Sequence, residues 1–356
     1  NDWVNPTHGV AGPSALDSTQ PTVAITSAEP DPTTNLTFTV DIQFDEIVTN
    51  FDLSDITVGN GTSSNFVNSG DDMLFRADIT PHLGGTVTVD IAAAVATDLT
   101  GNSNTAATQF TIEFTAPENA LDFDNTGDEI NIGDGAGNGF WLQAGTIEAW
   151  IKLPAGLDAG LYNAIVTFPS AYGIYVLNDQ LVAFGGIAHG SGVTVADNTW
   201  HHVALVFDRG VTNGSQLYVD GVAEGAAFTM NFLNGGTFAS ANQGLQIGDN
   251  NETGQNFQGL IDEVAIWDNT KVTTISDDAE NGIDPAATGL VSYYKFNQGV
   301  ADGSNTGITT LYDETGTNNG TLAGFTLNSA GSNFATSAVP KLVSGSEYYV
   351  DGASGG

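Results

Sequence analysis

The sequence predicts an all-β chain built as two successive β-sandwiches, and three observations carry that expectation. Apolar and polar residues alternate along most of the 356 residues, as in Leu36-Thr37-Phe38-Thr39-Val40-Asp41-Ile42-Gln43-Phe44 and Thr146-Ile147-Glu148-Ala149-Trp150-Ile151-Lys152. A period of two is that of half-buried strands. These runs are cut by Gly, Asn and Asp, and the 44 glycines supply the tight turns that many short strands need. No long helical period is present; only Val272–Gly282 reads as one or two turns, with Gly282 as the stop.

Composition narrows the partners. The chain has 42 acidic and 6 basic side chains, a formal net charge of -36. Such a surface repels nucleic acid and anionic membranes, so neither is expected as a partner. It attracts divalent cations and suits salt water, where screening weakens self-repulsion. There is no cysteine, so disulfides and thiolate metal sites are excluded, and core burial and oxygen-ligated ions are left to hold the fold. No apolar run reaches the roughly 18 residues that span a bilayer, so direct membrane insertion is not expected. The chain opens on Asn1 and closes on Ser354-Gly355-Gly356, which is expected of a piece of a longer secreted protein.

Residues 1–20 have linker composition, rich in Pro, Gly, Ser and Asn. Residues 21–115 hold about seven short alternating runs, among them Thr22–Ile25, Met73–Ile79, Gly85–Ile91 and Phe110–Phe114, which suits a small Greek-key sandwich. Phe44-Asp45-Glu46-Ile47-Val48-Thr49-Asn50-Phe51, Leu53-Ser54-Asp55-Ile56-Thr57-Val58 and Ala96-Thr97-Asp98-Leu99-Thr100-Gly101-Asn102-Ser103-Asn104 resemble the bacterial Ig-like repeats of large surface proteins and adhesins. That resemblance implies a spacer. Asp98, Asn102 and Asn104 read either as an ion site or as an Asx turn. Thr115–Asn119 is the junction, restricted by Pro117.

Residues 117–337 form the second unit. Thr146–Lys152, Thr199–Asp208, Gln216-Leu217-Tyr218-Val219-Asp220-Gly221 and Gly259-Leu260-Ile261-Asp262-Glu263-Val264-Ala265-Ile266-Trp267 follow one another in the order seen in laminin-G-like and pentraxin-like domains of the concanavalin-A-like jelly-roll superfamily, which they resemble. Ala120–Ile132 resembles the opening strand and turn, and Gly289–Asn297 with Asp313–Leu322 the close. Asp220-Gly221 reads as a two-residue hairpin turn, and Trp150 and Trp200 as core fillers. Residues 338–356 return to linker composition, leading to a following module.

The resemblance raises two chemical questions. Jelly-roll glucanases carry a Glu-x-Asp-x-x-Glu strand, but here Leu260 and Ala265 stand where the glutamates belong. The remaining Asp262 and Glu263 alternate in direction and cannot flank one glycosidic bond, so no enzyme activity is expected. Pentraxin-like domains place calcium ligands in the loop that here runs Gly248–Asn256. Carboxylate, amide and carbonyl oxygens are the ligands calcium takes, so Asp249, Asn251, Glu252 and Asn256 are one expected calcium set, with a solvated loop as the alternative. Asp124 and Asp128, close across the turn after the first strand, are a second. Tyr172 and Tyr175, with Tyr162 and Phe168 nearby, are the aromatic candidates for ligand contact. His201 and His202 point to opposite faces of a strand and do not make a zinc site. No nucleophile elbow or phosphate loop is present.

The reading is a non-catalytic binding or adhesion fragment of a secreted or cell-surface bacterial protein. Its jelly roll takes a glycan or surface ligand with calcium, and its Ig-like unit is a spacer joined to neighbouring modules. A stalk or filament module that binds only its neighbours, and an accessory module of a polysaccharide-degrading enzyme, are the alternatives.

Overall fold

The computed structural model describes residues 17–133, 139–157, 160–168, 171–184, 187–231, 244–250, 254–328 and 331–340. The chain divides into two compact units, one ending at Ala116 and one starting at Pro117. Among the described residues, no helix is long and apolar enough to cross a membrane.

The first unit contains β1 (Val23–Thr26), β2 (Phe38–Phe44), β3 (Ile56–Gly59), β4 (Gly61–Asn68), β5 (Leu74–Pro81), β6 (Gly85–Ile91) and β7 (Phe110–Phe114). They form an antiparallel sheet β1-β2-β5-β4 and a smaller sheet β3-β6-β7. The period of two becomes burial directly. In β2, Phe38, Val40, Ile42 and Phe44 face inward and alternate with Thr39, Asp41 and Gln43. Phe44, Phe51 and Phe75 pack edge to face in the core, with centroids 5.1–5.9 Å apart.

The second unit runs through β8 (Asn119–Asp124), β9 (Glu129–Ile132), β10 (Ala144–Lys152), β11 (Asn163–Phe168), β12 (Tyr172–Leu177), β13 (Gln180–Phe184), β14 (Ala188–Thr194) and β15 (His201–Asp208). It continues through β16 (Ser215–Val219), β17 (Val222–Phe228), β18 (Leu245–Ile247), β19 (Gln258–Trp267), α1 (Ile275–Asn281), β20 (Leu290–Tyr294), β21 (Thr310–Leu311), β22 (Gly320–Ala323) and β23 (Asn333–Thr336). One sheet is ordered β17-β16-β15-β10-β19-β8-β23 with β20 also on β19; the other is β14-β13-β12-β11-β18-β9-β22-β21. The core lies between them, filled by Leu121, Ile147, Ile151, Ile174, Val203, Leu205, Ile247 and Ile266 among others. The hairpin after β16 turns on Asp220 and Gly221, both left-handed at φ 50° and 77°.

The first of these sheets is covered on its outer side as well. Ile275 of α1 packs on Ala204, Val206 and Tyr218, while Ile283, Ala287 and Leu290 pack on Ala265, Trp267 and Tyr293. This corrects the expectation of half-buried strands here: β10 is buried on both faces over Gly145–Ile151. Its polar residues are therefore partnered inside the protein. Thr146 Oγ1 donates to the Asn269 carbonyl at 2.8 Å and accepts from the Lys271 amide at 3.0 Å. Glu148 accepts a hydrogen bond from the Trp267 indole. Lys271 is bonded to Asp278 and lies 3.4 Å above the Trp267 ring centre, a cation–π contact. The outer side of the second sheet carries an aromatic group instead, with Tyr162 edge-on to Tyr175 at 5.6 Å and to Phe184 at 6.5 Å.

Candidate functional site

The two loops singled out by composition meet at one place on the second unit. The first is the turn after β8. The Asp124 carboxylate accepts from the Thr126 amide at 2.9 Å and from its hydroxyl, and Asn125 and Gly127 are left-handed at φ 65° and 101°. The turn closes where Asp128 accepts from the Asp124 amide at 3.0 Å and from the Ser332 hydroxyl at 2.9 Å. The second is the connection from β18 to β19. It is pinned to β11 at both ends: the Gly248 amide donates to Ile165 at 3.0 Å, and the Ala164 amide donates to Gln255 at 3.0 Å. Thr167 Oγ1 donates to the Asp249 carbonyl at 2.7 Å, and Asn250 Nδ2 to Gln255 Oε1 at 2.7 Å. Gly248 is required, since at φ 84° an added Cβ would stand 2.2 Å from the Phe123 ring.

Between these loops and the start of β11 lies a surface depression. Asn125 comes from the first turn, Asn256 and Gln258 from the second loop and the start of β19, and Asn163 from the first residue of β11. Leu157 and Leu161 supply the apolar part, and Gly254 stands at the edge. Of the residues expected from the sequence, Asn256 lines it. Asn125 lines it and Asp124 and Asp128 do not; Asn256 lines it and Asp249 does not. Asn163 and Gln258 carry no local signal in the sequence: each simply begins a strand.

Acidity accumulates around β8 and the turn that follows it. Burial, with the neighbouring Asp128, Asp124 and Asp302 carboxylates, pushes the Asp122 pKa up to about 6. Burial likewise pushes Asp128 to about 6. Both Asp128 oxygens already accept hydrogen bonds, and one Asp124 oxygen serves Thr126. Among the described residues, only Asp17, Glu46 and Asp98 of the first unit bring three acidic or histidine ligand atoms within 4.8 Å of one another. Asp124, Asp128 and Asp249 are not gathered in this way. Asn251 and Glu252 lie outside the described residues. Asp98 itself is a turn cap, accepting from Thr100 and Asn102 amides at 2.8 Å each, and Asn104 bonds Val95, Ala96, Ala92 and Thr105 backbone atoms.

The aromatic expectation needs correcting. Tyr172 is 2% exposed, stacks on Phe168 at 5.5 Å and Phe207 at 4.9 Å, and donates its hydroxyl to the Phe140 carbonyl at 2.5 Å. Its ring belongs to the core and offers no face to a ligand. Tyr175 sits on the opposite side of β12 but is buried beneath Tyr162 and Phe184. Trp150 is buried, as expected of a core filler, whereas Trp200 is only half-buried. His201 and His202 do diverge: His201 bonds Asp220 at 2.9 Å near the surface, and His202 is buried 3.3 Å from Glu148.

Residues 17–114 match the family model described as a bacterial Ig-like domain, and residues 124–273 the model of the concanavalin A-like lectin/glucanases superfamily. No curated protein matches the sequence. Several solved structures are similar. A proposed carbohydrate-binding protein from Bacteroides ovatus is 19% identical, covering 90% of this chain and 99% of that one, with a TM-score of 0.48. Domain 4 of AbnA, an extracellular GH43 arabinanase from Geobacillus stearothermophilus in complex with arabinotriose, is 14% identical over 62% of this chain and 86% of that one, with a TM-score of 0.29. The CBM40 of the Ruminococcus gnavus IT-sialidase is 13% identical over 43% of this chain and 91% of that one, with a TM-score of 0.33.

Proposed function

Because the chain carries a bacterial Ig-like domain at residues 17–114 followed by a concanavalin A-like domain over residues 124–273, we propose that it is a non-catalytic carbohydrate-binding fragment. Its second unit holds a glycan in the depression between Asn125, Asn163, Asn256 and Gln258. The Ig-like unit acts as a spacer to neighbouring modules in a secreted, cell-surface bacterial protein with an adhesive role. The observation that carries the reading is the convergence of four carboxamides on two leucines. A carboxamide donates and accepts at once, which is what a pair of sugar hydroxyls asks for. Leu157 and Leu161 suit the C–H side of the same ring, and small-ligand sites combine apolar walls with a few directed polar groups in this way.

The absence of catalysis in this proposal is supported by Asp262 and Glu263, which are 1% and 3% exposed. Asp262 accepts from the Ser337 hydroxyl at 2.5 Å, and Glu263 sits at a left-handed φ of 51° where β19 bulges against β10. Glycoside hydrolysis needs two carboxyl groups about 5–9.5 Å apart across an accessible bond. Calcium is retained in the proposal only for the Asp249–Asn256 loop, on the density of oxygen donors in its sequence.

Binding of the full chain to a panel of polysaccharides, with Asn256→Ala and Gln258→Ala beside it, tests the reading. A loss of about tenfold or more in affinity, some 1.4 kcal/mol, is expected from each. Unchanged binding in both variants would move the ligand elsewhere.

A further inference from the structure

We infer that the depression selects an uncharged sugar: its ligand is a neutral glycan. The inference rests on the carbohydrate-binding reading and names the class of ligand at that same site. Its first support is the lining, which among the described residues offers carboxamides and leucines and no charged side chain. A uronic, sialic or sulfated sugar is bound by pairing its anion with a guanidinium or ammonium, the strong and directional form of the hydrogen bond.

The second support is where the cations are. The chain has six basic side chains. Arg76 pairs with Asp41 in the first unit at 2.6 Å. Lys271 is committed to Asp278 and the Trp267 ring, Lys295 lies 3.9 Å from Glu314, and Arg209 is buried. Lys152 stands opposite Leu260 in the β10–β19 register and does not line the depression. Lys341 lies outside the described residues.

The third support is repulsion. Asp124 and Asp249 belong to the two loops that frame the depression, within a chain of net charge -36. An arriving carboxylate or sulfate meets like charge, which is discrimination by penalty as well as by fit. A cationic sugar is attracted by the whole surface, but among the described residues no carboxylate lines the depression to hold it there.

The test is calorimetric titration of the full chain with neutral glycans (arabinan, xylan, mannan, laminarin), anionic ones (polygalacturonate, alginate, carrageenan) and chitosan, at about 0.1 M and about 0.5 M sodium chloride. The expected result is a neutral glycan whose affinity changes less than about twofold with salt and falls about tenfold or more in Asn256→Ala and Gln258→Ala. Anionic glycans should bind at least about tenfold more weakly at both salt levels. Chitosan should bind only at low salt and equally well to the variants. An anionic or cationic glycan that binds best and is lost with Asn256→Ala would overturn the neutral class and leave the glycan site standing. If nothing binds, or if the bound glycan ignores both substitutions, the carbohydrate reading of this depression falls and the neutral class with it. Gln258 and Asn125 are exposed, so Gln258→Ala and Asn125→Ala serve as site variants whose folding is not in question.

Discussion

The carboxylate of Glu148 lies 3.3 Å from Nε2 of His202, and the two side chains are 0% and 2% exposed. They sit under α1, with the Trp267 indole donating to the other Glu148 oxygen. A buried charge is tolerated only while its partners remain. Glu148→Ala is therefore expected to destabilise the second unit by about 3–5 kcal/mol, because it strands both an indole N–H and an imidazole. Glu148→Gln, which keeps an acceptor for Trp267, should cost clearly less. Denaturant unfolding followed by tryptophan fluorescence measures both, and equal costs would mean the charge and its partners matter less than the volume.

Asp313 is the second organiser. It is buried and accepts from the Tyr293 amide at 2.8 Å, the Asn318 amide at 3.0 Å, the Thr315 amide at 3.1 Å and the Thr315 hydroxyl at 2.6 Å. It thereby ties the 313–318 turn to β20. Asp313→Ala leaves these donors unpaired, at about 1–3 kcal/mol for each buried group, and is expected to lower the melting temperature by many degrees. A drop as small as that of a surface aspartate would refute this role.

The pH dependence has a definite sign. The Asp122 and Asp128 pKa values are raised in the folded state from 3.8 to about 6, first by burial. The folded chain thus holds these protons more tightly than the unfolded chain. Their charged forms cost stability above about pH 6, and the cost is relieved as pH falls from there toward 4. His201 acts in the same direction. Hydrogen bonding to Asp220 raises its pKa against the effect of burial, so its contribution is complete below its unfolded value of 6.5 and is lost as pH rises through the folded one. Melting should therefore be higher at pH 5.5 than at pH 8. Asp122→Asn should raise the melting temperature at pH 8 and shrink the difference, whereas His201→Gln should lower it mainly at pH 5.5. A variant Asp122→Asn that melts like the parent at pH 8 would contradict the assignment.

These residues also show where the sequence was informative. The period of two marks β2, β10, β15 and β19, and Asp220-Gly221 announces its left-handed turn, because strand pleat and glycine freedom are local properties. What lies on each side of a strand is not local. Thr146 and Glu148 read as a solvated face, yet α1, more than a hundred residues later, covers it. Tyr172 and Tyr175 are equally aromatic, and only the phase of β12 against the core sends Tyr172 inward with Ile174. At the candidate site the loops and Asn256 were legible, and Asn125, Asn163 and Gln258 were not. Oxygen density drew attention to Asp124, Asp249 and Asn256, whereas side-chain direction in a turn is set by backbone geometry, and it is Asn256 and the unexpected Asn125 that reach the depression.

The last prediction separates the two calcium sets. Asp128 has both oxygens occupied by protein donors, and Asp124 caps its own turn. An ion gains little there. The Asp249–Asn256 loop is oxygen-rich, and a divalent cation that binds only the folded state stabilises it by about 2.7 kcal/mol at a hundred times its dissociation constant. Melting should rise with millimolar calcium beyond the effect of sodium chloride at equal ionic strength, which controls for screening of the net charge. Asp249→Ala should remove the calcium-specific part of the rise, while Asp124→Ala should keep it. If sodium reproduces the whole shift, the loop carries no calcium and its acids are solvated surface. If Asp124→Ala abolishes the rise and Asp249→Ala does not, the ion belongs to the first turn after all.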